Sequence, residues 1–130
     1  MLIKQRMTEN DLLSTEERLE YIIEALKEKK GKQITTIDLS KIENSICDHF
    51  IICHGESTTQ VNALSESVDK KLKETGKIDA HHVEGLQNCQ WVLMDYNNIL
   101  VHIFLESQRR FYNLEELWGD GKMERFEDEL

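Results

Sequence analysis

The 130-residue chain contains no proline, little aromatic content (7%) and three cysteines. Without proline, its turns and helix ends depend on glycine, asparagine and serine. The cysteines, Cys47, Cys53 and Cys89, are odd in number and form no CxxC pair, which argues against a disulfide framework. No cysteine–histidine set has zinc-finger spacing and there is no HExxH motif, so the sequence predicts no metal site.

Long hydrophobic runs are also lacking. No segment approaches the ~20 apolar residues of a membrane span. The first residues, Met1–Arg6, lack the apolar stretch of a signal peptide. We therefore expect a cytoplasmic protein that makes no membrane contact.

Positive charge is scarce compared with negative charge. Asp and Glu together number 25 against 16 Lys and Arg, which gives a net charge of −9. Such a surface repels phosphate backbones, so we expect little direct nucleic-acid contact and a partner with basic side chains. The alternative is that the acidic surface serves solubility alone.

Two stretches have the apolar spacing of amphipathic helices. Ser14 and Glu17 form a capping box at the start of the first helix, which covers about residues 15–30. Ser57 and Gln60 have the same spacing at the start of the second. Each helix is expected to bury one apolar stripe.

Other segments are apolar or β-branched and predict strands. These strands are Ile34–Leu39, His49–Cys53, Ile78–Val83, Gln90–Tyr96 and Ile99–Phe104. Asn97-Asn98 predicts a hairpin turn between the last two, because Asn tolerates positive φ. The sequence therefore predicts a single α/β domain in which helices flank a mixed sheet of about five strands.

Three regions are expected along the chain. Residues 1–13 are polar and predict a flexible N-terminal lead. Residues 14–118 contain the predicted helices and strands and form the folded domain, with a last helix from about Glu106 to Tyr112. Residues 119–130 are acidic and predict a disordered C-terminal tail.

Four segments in the second half resemble, in order and spacing, the Iojap/RsfS family of ribosomal silencing factors. They are Val83-Glu84-Gly85, Trp91–Tyr96, Val101–Phe104 and Arg109–Trp118. Many members have glycine at the position of Asn97 and proline at the position of Glu106. Both differences concern turn geometry, so they leave the resemblance intact.

The resemblance implies a nucleotidyltransferase-like fold without its catalytic groups, and no cofactor. It also implies binding to the large ribosomal subunit through ribosomal protein fourteen, on the face that meets the small subunit. Occupying that face would block subunit joining and repress translation.

One predicted strand carries the candidate protein-binding residues. Side chains alternate along a strand, so Trp91, Leu93 and Asp95 share one face. A carboxylate is costly in a core, so this face is expected near solvent or a partner. Trp91 and Asp95, with Glu84 on the rim, are the predicted contacts. The alternative is that Trp91 packs under the last helix and Asp95 caps the Asn97-Asn98 turn.

The last helix carries apolar residues at helical spacing. Phe111, Leu114 and Leu117 are expected in the core. Tyr112 and Trp118 have polar tips and are expected at a rim.

Charged and polar neighbours of this helix have simpler expectations. Arg109 and Arg110 are predicted to be surface charges, one of which pairs with Glu106 or Glu115. His102 lies in an apolar strand and is expected to be a hydrogen-bonded structural histidine.

Two other functions compete with silencing. An enzyme of the nucleotidyltransferase type has some support from Gly55-Glu56-Ser57, whose backbone amides could hold a phosphate. No predicted strand carries the paired carboxylates that would hold its metal ions, so we expect no catalysis. The other candidate is a homodimeric adaptor that pairs through an exposed edge strand.

Overall fold

The computed structural model describes residues 13–128. The predicted lead therefore lies outside the described residues except for Leu13, whose side chain is buried. The elements are α1 (Thr15–Glu28), β1 (Lys32–Asp38), β2 (His49–Gly55), α2 (Thr58–Gly76), β3 (His82–Glu84), β4 (Trp91–Asp95), β5 (Ile99–Leu105), α3 (Glu106–Tyr112), α4 (Leu114–Leu117) and β6 (Lys122–Arg125).

Within this described part the strands form one six-stranded sheet in the order β3-β4-β5-β2-β1-β6. β2 and β5 are parallel, whereas the other neighbouring pairs are antiparallel. The expectation of a single α/β domain with a mixed sheet and flanking helices is confirmed.

The sixth strand comes from the segment that was expected to be a disordered tail. β6 pairs with β1, and Met123 lies opposite Ile37 and packs against the cluster that contains it. Asp128 extends the attachment, because its Oδ1 accepts a hydrogen bond from the backbone N of Gln33 at 2.7 Å. The prediction of disorder is wrong for this segment, because the open edge of β1 satisfies its backbone hydrogen bonds despite its charge.

The helices α1 and α2 cover one face of the sheet. Their buried residues form a continuous core with the strands, and the largest contributors include Ile22, Leu26, Leu64, Leu72, Ile51 and Tyr96. Ser67 joins the two helices, because its hydroxyl donates to the backbone O of Ala25 at 2.8 Å. We call this side of the sheet the covered face.

The two predicted capping boxes have different outcomes. Ser14 and Glu17 form both hydrogen bonds of the motif. At α2, Ser57 accepts from the backbone N of Gln60 at 3.1 Å, but the Gln60 side chain accepts from Glu56 and not from Ser57. Its amide also donates to the backbone O atoms at the end of α1, so Gln60 ties the two helices together.

On the opposite face, α3, α4 and the segment 39–47 cover β1, β2 and part of β5. The buried residues of this second cluster are Ile37, Leu39, Cys47, Phe50, Ile52, Phe104 and Leu114.

The predicted strand Ile78–Val83 is displaced, because only His82–Glu84 pairs with β4. In this short edge strand His82 and Glu84 are exposed and Val83 is half-buried, so β3 stays accessible.

The expectation that Phe111 and Leu117 are core residues is wrong. Leu114 is buried, but Phe111 is 78% exposed and Leu117 is 71% exposed. The reason is a break at Asn113, which has a left-handed φ of 47° and separates α3 from α4. Helical spacing does not continue through this residue, so the apolar positions on its two sides do not share one buried stripe.

Candidate protein-binding surface

The pairing register places all three predicted contact residues on one side of the sheet. Glu84 lies opposite Leu93, and His82 lies opposite Asp95. Cross-strand partners point to the same side, so these residues share a surface with Trp91. We call the surface formed by His82, Glu84, Trp91, Leu93 and Asp95 the open face.

The alternation along β4 separates this surface from the core. Val92, Met94 and the following Tyr96 are buried on the covered face, whereas Trp91, Leu93 and Asp95 are half-buried. A half-buried apolar and acidic strand at the edge of a core leaves contact area for another molecule.

Trp91 is held in place by an aromatic cluster. Its ring lies 4.9 Å from Phe104 and 4.7 Å from Tyr112, measured between ring centroids. Its Nε1 donates a hydrogen bond to Nδ1 of His102 at 3.2 Å. The contact with Tyr112, the last residue of α3, is the packing that the alternative interpretation of Trp91 predicted.

His102 is a neutral structural histidine beneath Trp91. The indole N–H can only donate, so Nδ1 of His102 is the acceptor and Nε2 carries the proton. His102 is 5% exposed, and this burial lowers its pKa to about 4. The histidine therefore fixes the indole and adds no charge to the surface.

Asp95 also makes the contact that its alternative interpretation predicted. Its Oδ1 accepts a hydrogen bond from the backbone N of Asn97 at 2.8 Å. Asn97 has a φ of 72°, as expected for the turn. Oδ2 of Asp95 makes no hydrogen bond within residues 13–128, so half of the carboxylate is available to a basic partner.

Glu84 is an exposed residue of the edge strand. Its Oε2 lies 2.7 Å from Nε2 of His82. The next residue, Gly85, has a φ of 93°, and a Cβ there would lie 2.0 Å from the backbone O of Trp91. Only glycine permits this close approach, which holds Glu84 beside the start of β4.

Two exposed aromatic side chains adjoin the open face and were not identified from the sequence as contacts. Tyr112 is 45% exposed, and its ring centroid lies 5.0 Å from that of Phe111. We call Phe111 and Tyr112 the aromatic rim. Asn113 is the residue from which the exposure of this pair could have been predicted. Asn favours the left-handed conformation that ends a helix, so its presence predicts that α3 stops directly after Tyr112.

Two buried cysteines of the described region are poorly suited to nucleophilic chemistry. Burial raises the pKa of Cys47 to about 11 and that of Cys53 to about 12, so both thiols are protonated and poor nucleophiles. Within residues 13–128, no cluster of three or more His, Cys, Asp or Glu side chains has the arrangement of a metal site. The helices of the same region are too short or too polar to cross a membrane.

These features describe a small α/β domain with helices on both sides of its sheet and an accessible apolar and acidic surface, the open face, on β3 and β4. Residues 13–130 match the family described as "Ribosomal silencing factor during starvation" (RsfS). The chain belongs to this family.

Individual relatives agree with this assignment. A "Ribosomal silencing factor RsfS" from Halalkalibacterium halodurans is 38% identical over 109 residues, which cover 84% of this chain and 92% of the relative. Another from Chromobacterium violaceum is 43% identical over 100 residues, 77% of this chain and 80% of the relative. A crystal structure of a Chromobacterium violaceum protein has a TM-score of 0.78 at 40% identity and covers 82% of this chain and 88% of that one.

A more distant relative comes from mouse and is named "Mitochondrial assembly of ribosomal large subunit protein 1". It is 25% identical over 114 residues, which cover 86% of this chain and 48% of the mouse protein.

Proposed function

We propose that this chain represses translation by binding the large ribosomal subunit and sterically blocking its association with the small subunit. The proposed contact on the large subunit is ribosomal protein fourteen. Membership of the silencing-factor family supports the repressive role. The name of the mouse relative, which refers to large-subunit assembly, supports the choice of subunit.

The observation that carries this proposal is the open face, where a fixed Trp side chain shares one surface with two carboxylates. Trp91 is already held by His102 and Tyr112, so binding would order few additional rotamers. Trp and Tyr are frequent hot-spot residues in protein interfaces. We therefore assign Trp91, Asp95 and Glu84 to the interface, with the aromatic rim beside them.

Charge supports a basic partner. Glu84 and Asp95 lie on neighbouring strands of a chain whose net charge is −9. Complementary charges accelerate association and disfavour partners of the wrong sign. Steric blockade requires no nucleophile, metal or cofactor, which agrees with the protonated cysteines.

A homodimer through the edge strands has less support. The edge strand β3 is three residues long and carries the acidic Glu84, whose Oε2 contacts Nε2 of His82. The other edge, β6, exposes Lys122, Glu124 and Arg125. Short and charged edge strands are devices that oppose strand pairing between molecules.

The test is co-sedimentation with purified large ribosomal subunits, followed by addition of small subunits. The wild-type chain should sediment with the large subunit and reduce the yield of joined subunits. Failure to sediment under low-salt conditions would contradict the proposed function.

Two substitutions at Asp95 separate charge from structure. Asp95→Asn retains an oxygen that can accept from Asn97 but removes the charge, whereas Asp95→Lys reverses the charge. We expect affinity to fall about tenfold for Asn and further for Lys, because hot-spot contacts contribute about 1.4 kcal/mol or more. Glu20→Gln is the matched control, since Glu20 is exposed on α1, on the other side of the sheet. Equal binding by wild type and folded Asp95→Lys would exclude this residue from the interface.

The aromatic rim is tested separately. Phe111→Ala removes a side chain that is 78% exposed, so it should leave the fold intact while weakening ribosome binding several-fold. Unchanged binding by Phe111→Ala would restrict the interface to the strand residues.

A further inference from the structure

A second feature shares no residue with the open face. A cavity of about 250 Å³ lies where the parallel strands β2 and β5 end. Its charged and titratable lining residues are His54, Glu106, Arg109, Arg110, Glu115 and Arg125. In open α/β sheets, ligands bind in the crevice at the carboxyl ends of the parallel strands.

The cavity concentrates basic side chains in an acidic protein. The chain has five arginines, Arg6, Arg18, Arg109, Arg110 and Arg125, and three of them line this cavity. They come from two distant segments, since Arg109 and Arg110 belong to α3 and Arg125 belongs to β6. Folding therefore brings three arginines together in a chain whose net charge is −9.

Arg109 forms the rigid base of the cavity. It is 5% exposed, which contradicts the expectation of a surface charge. Its Nη1 donates to the backbone O of Lys32 at 3.2 Å, and its Nη2 donates to Thr35 Oγ1 at 3.2 Å and to Glu115 Oε2 at 2.5 Å. The guanidinium is held at both ends, so it is a fixed positive charge at the base of the cavity.

His54 supplies a neutral donor beside Arg109. Nη1 of Arg109 lies 3.1 Å from Nδ1 of His54, and a guanidinium can only donate, so Nδ1 accepts and Nε2 carries the proton. Nε2 makes no hydrogen bond within residues 13–128, although His54 is only 5% exposed. His54 borders the cavity, so this unpartnered N–H group is available to an oxygen of a ligand.

The two other arginines supply accessible charge at the mouth. Both side chains are exposed, and each has a weak intramolecular carboxylate partner. Arg110 lies 2.9 Å from Glu106 one turn earlier, and Arg125 lies 3.7 Å from Glu115. The pair of Arg110 and Glu106 is exposed and contributes little stability, so Arg110 can exchange Glu106 for a ligand oxygen. Arg125 is 56% exposed and is held by the long contact to Glu115 and by a hydrogen bond that its Nη1 donates to Thr35 Oγ1 at 3.3 Å, so its guanidinium also remains accessible to a ligand.

We propose that this cavity binds a phosphate group, either as inorganic phosphate or as the phosphate of a nucleotide. His54 Nε2 and the guanidinium groups of Arg110 and Arg125 contact the phosphate oxygens, while Arg109 keeps His54 in the donating tautomer. Arginine is well suited to phosphate because its planar fork donates two parallel hydrogen bonds. The ligand replaces Glu106 as the partner of Arg110.

The direct test is an NMR titration of the ¹⁵N-labelled full chain with sodium phosphate, with the ionic strength held constant by sodium chloride. We expect saturable shifts at the backbone amides of Gln33, His54 and Asn113, which border the cavity. The amides of β4 should not shift. Absence of saturable shifts up to about 20 mM phosphate at constant ionic strength would overturn the proposal.

Variants identify the groups that bind. Arg110→Gln and Arg125→Gln should each weaken phosphate binding about three- to tenfold, because each removes a charge-assisted hydrogen bond. Glu106→Gln should strengthen binding several-fold, because it removes the carboxylate that competes for Arg110. Lys70→Gln, at an exposed position on α2, is the control for net charge and should change affinity little. Equal affinities in wild type and both arginine variants would overturn the assignment.

A parallel titration with ADP distinguishes the two sources of phosphate. Tighter binding of ADP, with the same shifts and additional ones nearby, identifies a nucleotide. Equal or weaker binding of ADP identifies inorganic phosphate. Shifts with ADP alone that avoid the cavity amides would overturn the proposal, because the phosphate would then play no part at this site.

Discussion

The two faces of the sheet are built in different ways. The covered face lies under α1 and α2, which are 14 and 19 residues long and contribute continuous apolar stripes. The other face lies under α3 and α4, which are 7 and 4 residues long. The long helices bury most of their side of the sheet, whereas the short ones leave the open face on β3 and β4 accessible.

The short helices are also attached in a different way. α3 rests on the sheet through the buried Arg109, whose hydrogen bonds reach β1, β2 and Glu115. A helix of 7 residues presents too little apolar surface to hold itself by burial alone. This attachment leaves the neighbouring Phe111 and Tyr112 free to face solvent beside Trp91. The comparison of the two sides shows that a sheet surface can stay accessible when the helices over it are short and are attached by hydrogen bonds from a buried polar side chain.

The largest expected difference between the faces is in the stability contributed by leucines. Leu64→Ala on the covered face should lower the free energy of unfolding by about 2–5 kcal/mol, because it leaves a cavity in a fully buried site. Leu117→Ala, on α4, should change it by no more than about 0.5 kcal/mol. Urea unfolding monitored by tryptophan fluorescence measures both. Equal losses would mean that the two faces do not differ in the way described.

The polar attachment of α3 predicts a loss of similar size. Arg109→Met should lower the free energy of unfolding by about 3 kcal/mol, because Glu115 loses its closest ion-pair partner in a poorly solvated position. Arg110→Met, which removes an exposed pair with Glu106, is the control and should cost less than about 1 kcal/mol. Both are measured by urea unfolding. A stable Arg109→Met protein would show that apolar contacts hold α3.

Acid should weaken the second cluster through His102. Its pKa is near 6.5 in an unfolded chain and is lowered to about 4 by burial in the folded one. The unfolded chain therefore binds the proton first as pH falls. The contribution to stability is complete above about pH 6.5, and about 3 kcal/mol is lost as pH approaches 4.

Substitution isolates this contribution from that of other groups. His102→Gln should reduce the loss of stability between pH 7 and pH 4 by about the same 3 kcal/mol, because glutamine does not titrate. Urea unfolding of both proteins at several pH values provides the comparison. Parallel stability curves for wild type and His102→Gln would contradict the assignment. His54 is retained in both proteins, so its own lowered pKa, caused by burial and by Arg109, affects both alike.

The smallest predicted effect concerns the turn that orients the open face. Asn97→Ala should lower the free energy of unfolding by about 1 kcal/mol, because the φ of 72° is unfavourable for a residue with a Cβ and no local polar group. Asn97→Gly should be close to neutral. Thermal unfolding of the two variants tests this difference. Equal melting temperatures for Asn97→Ala and Asn97→Gly would show that the positive φ of residue 97 does not limit stability.

Much of the local structure was predictable from the sequence. Ser14 and Glu17 identified the start of α1, and the alternation from Trp91 to Tyr96 identified which side of β4 lies in the core. Both predictions depend on neighbours within a few positions, where spacing determines contact. The binding role of Trp91, Asp95 and Glu84 stays a prediction until a ribosome-binding measurement tests it.

The incorrect predictions involve contacts between distant segments. Arg109 was expected at the surface, but it meets Lys32 and Thr35, 77 and 74 positions away along the chain. The tail became β6 because the edge of β1 was available to it. Spacing along one segment contains no information about such partners.

The sequence by itself therefore determined the family, the α/β class, the main strands and the outward side of β4. These features follow from propensity, periodicity and motifs in short windows of the chain. Only the tertiary structure decided which helices cover which face, that Arg109 is buried, and that Phe111 and Leu117 are exposed. The physical reason is that burial depends on which other segment packs against a side chain, and that choice is made when the whole chain folds.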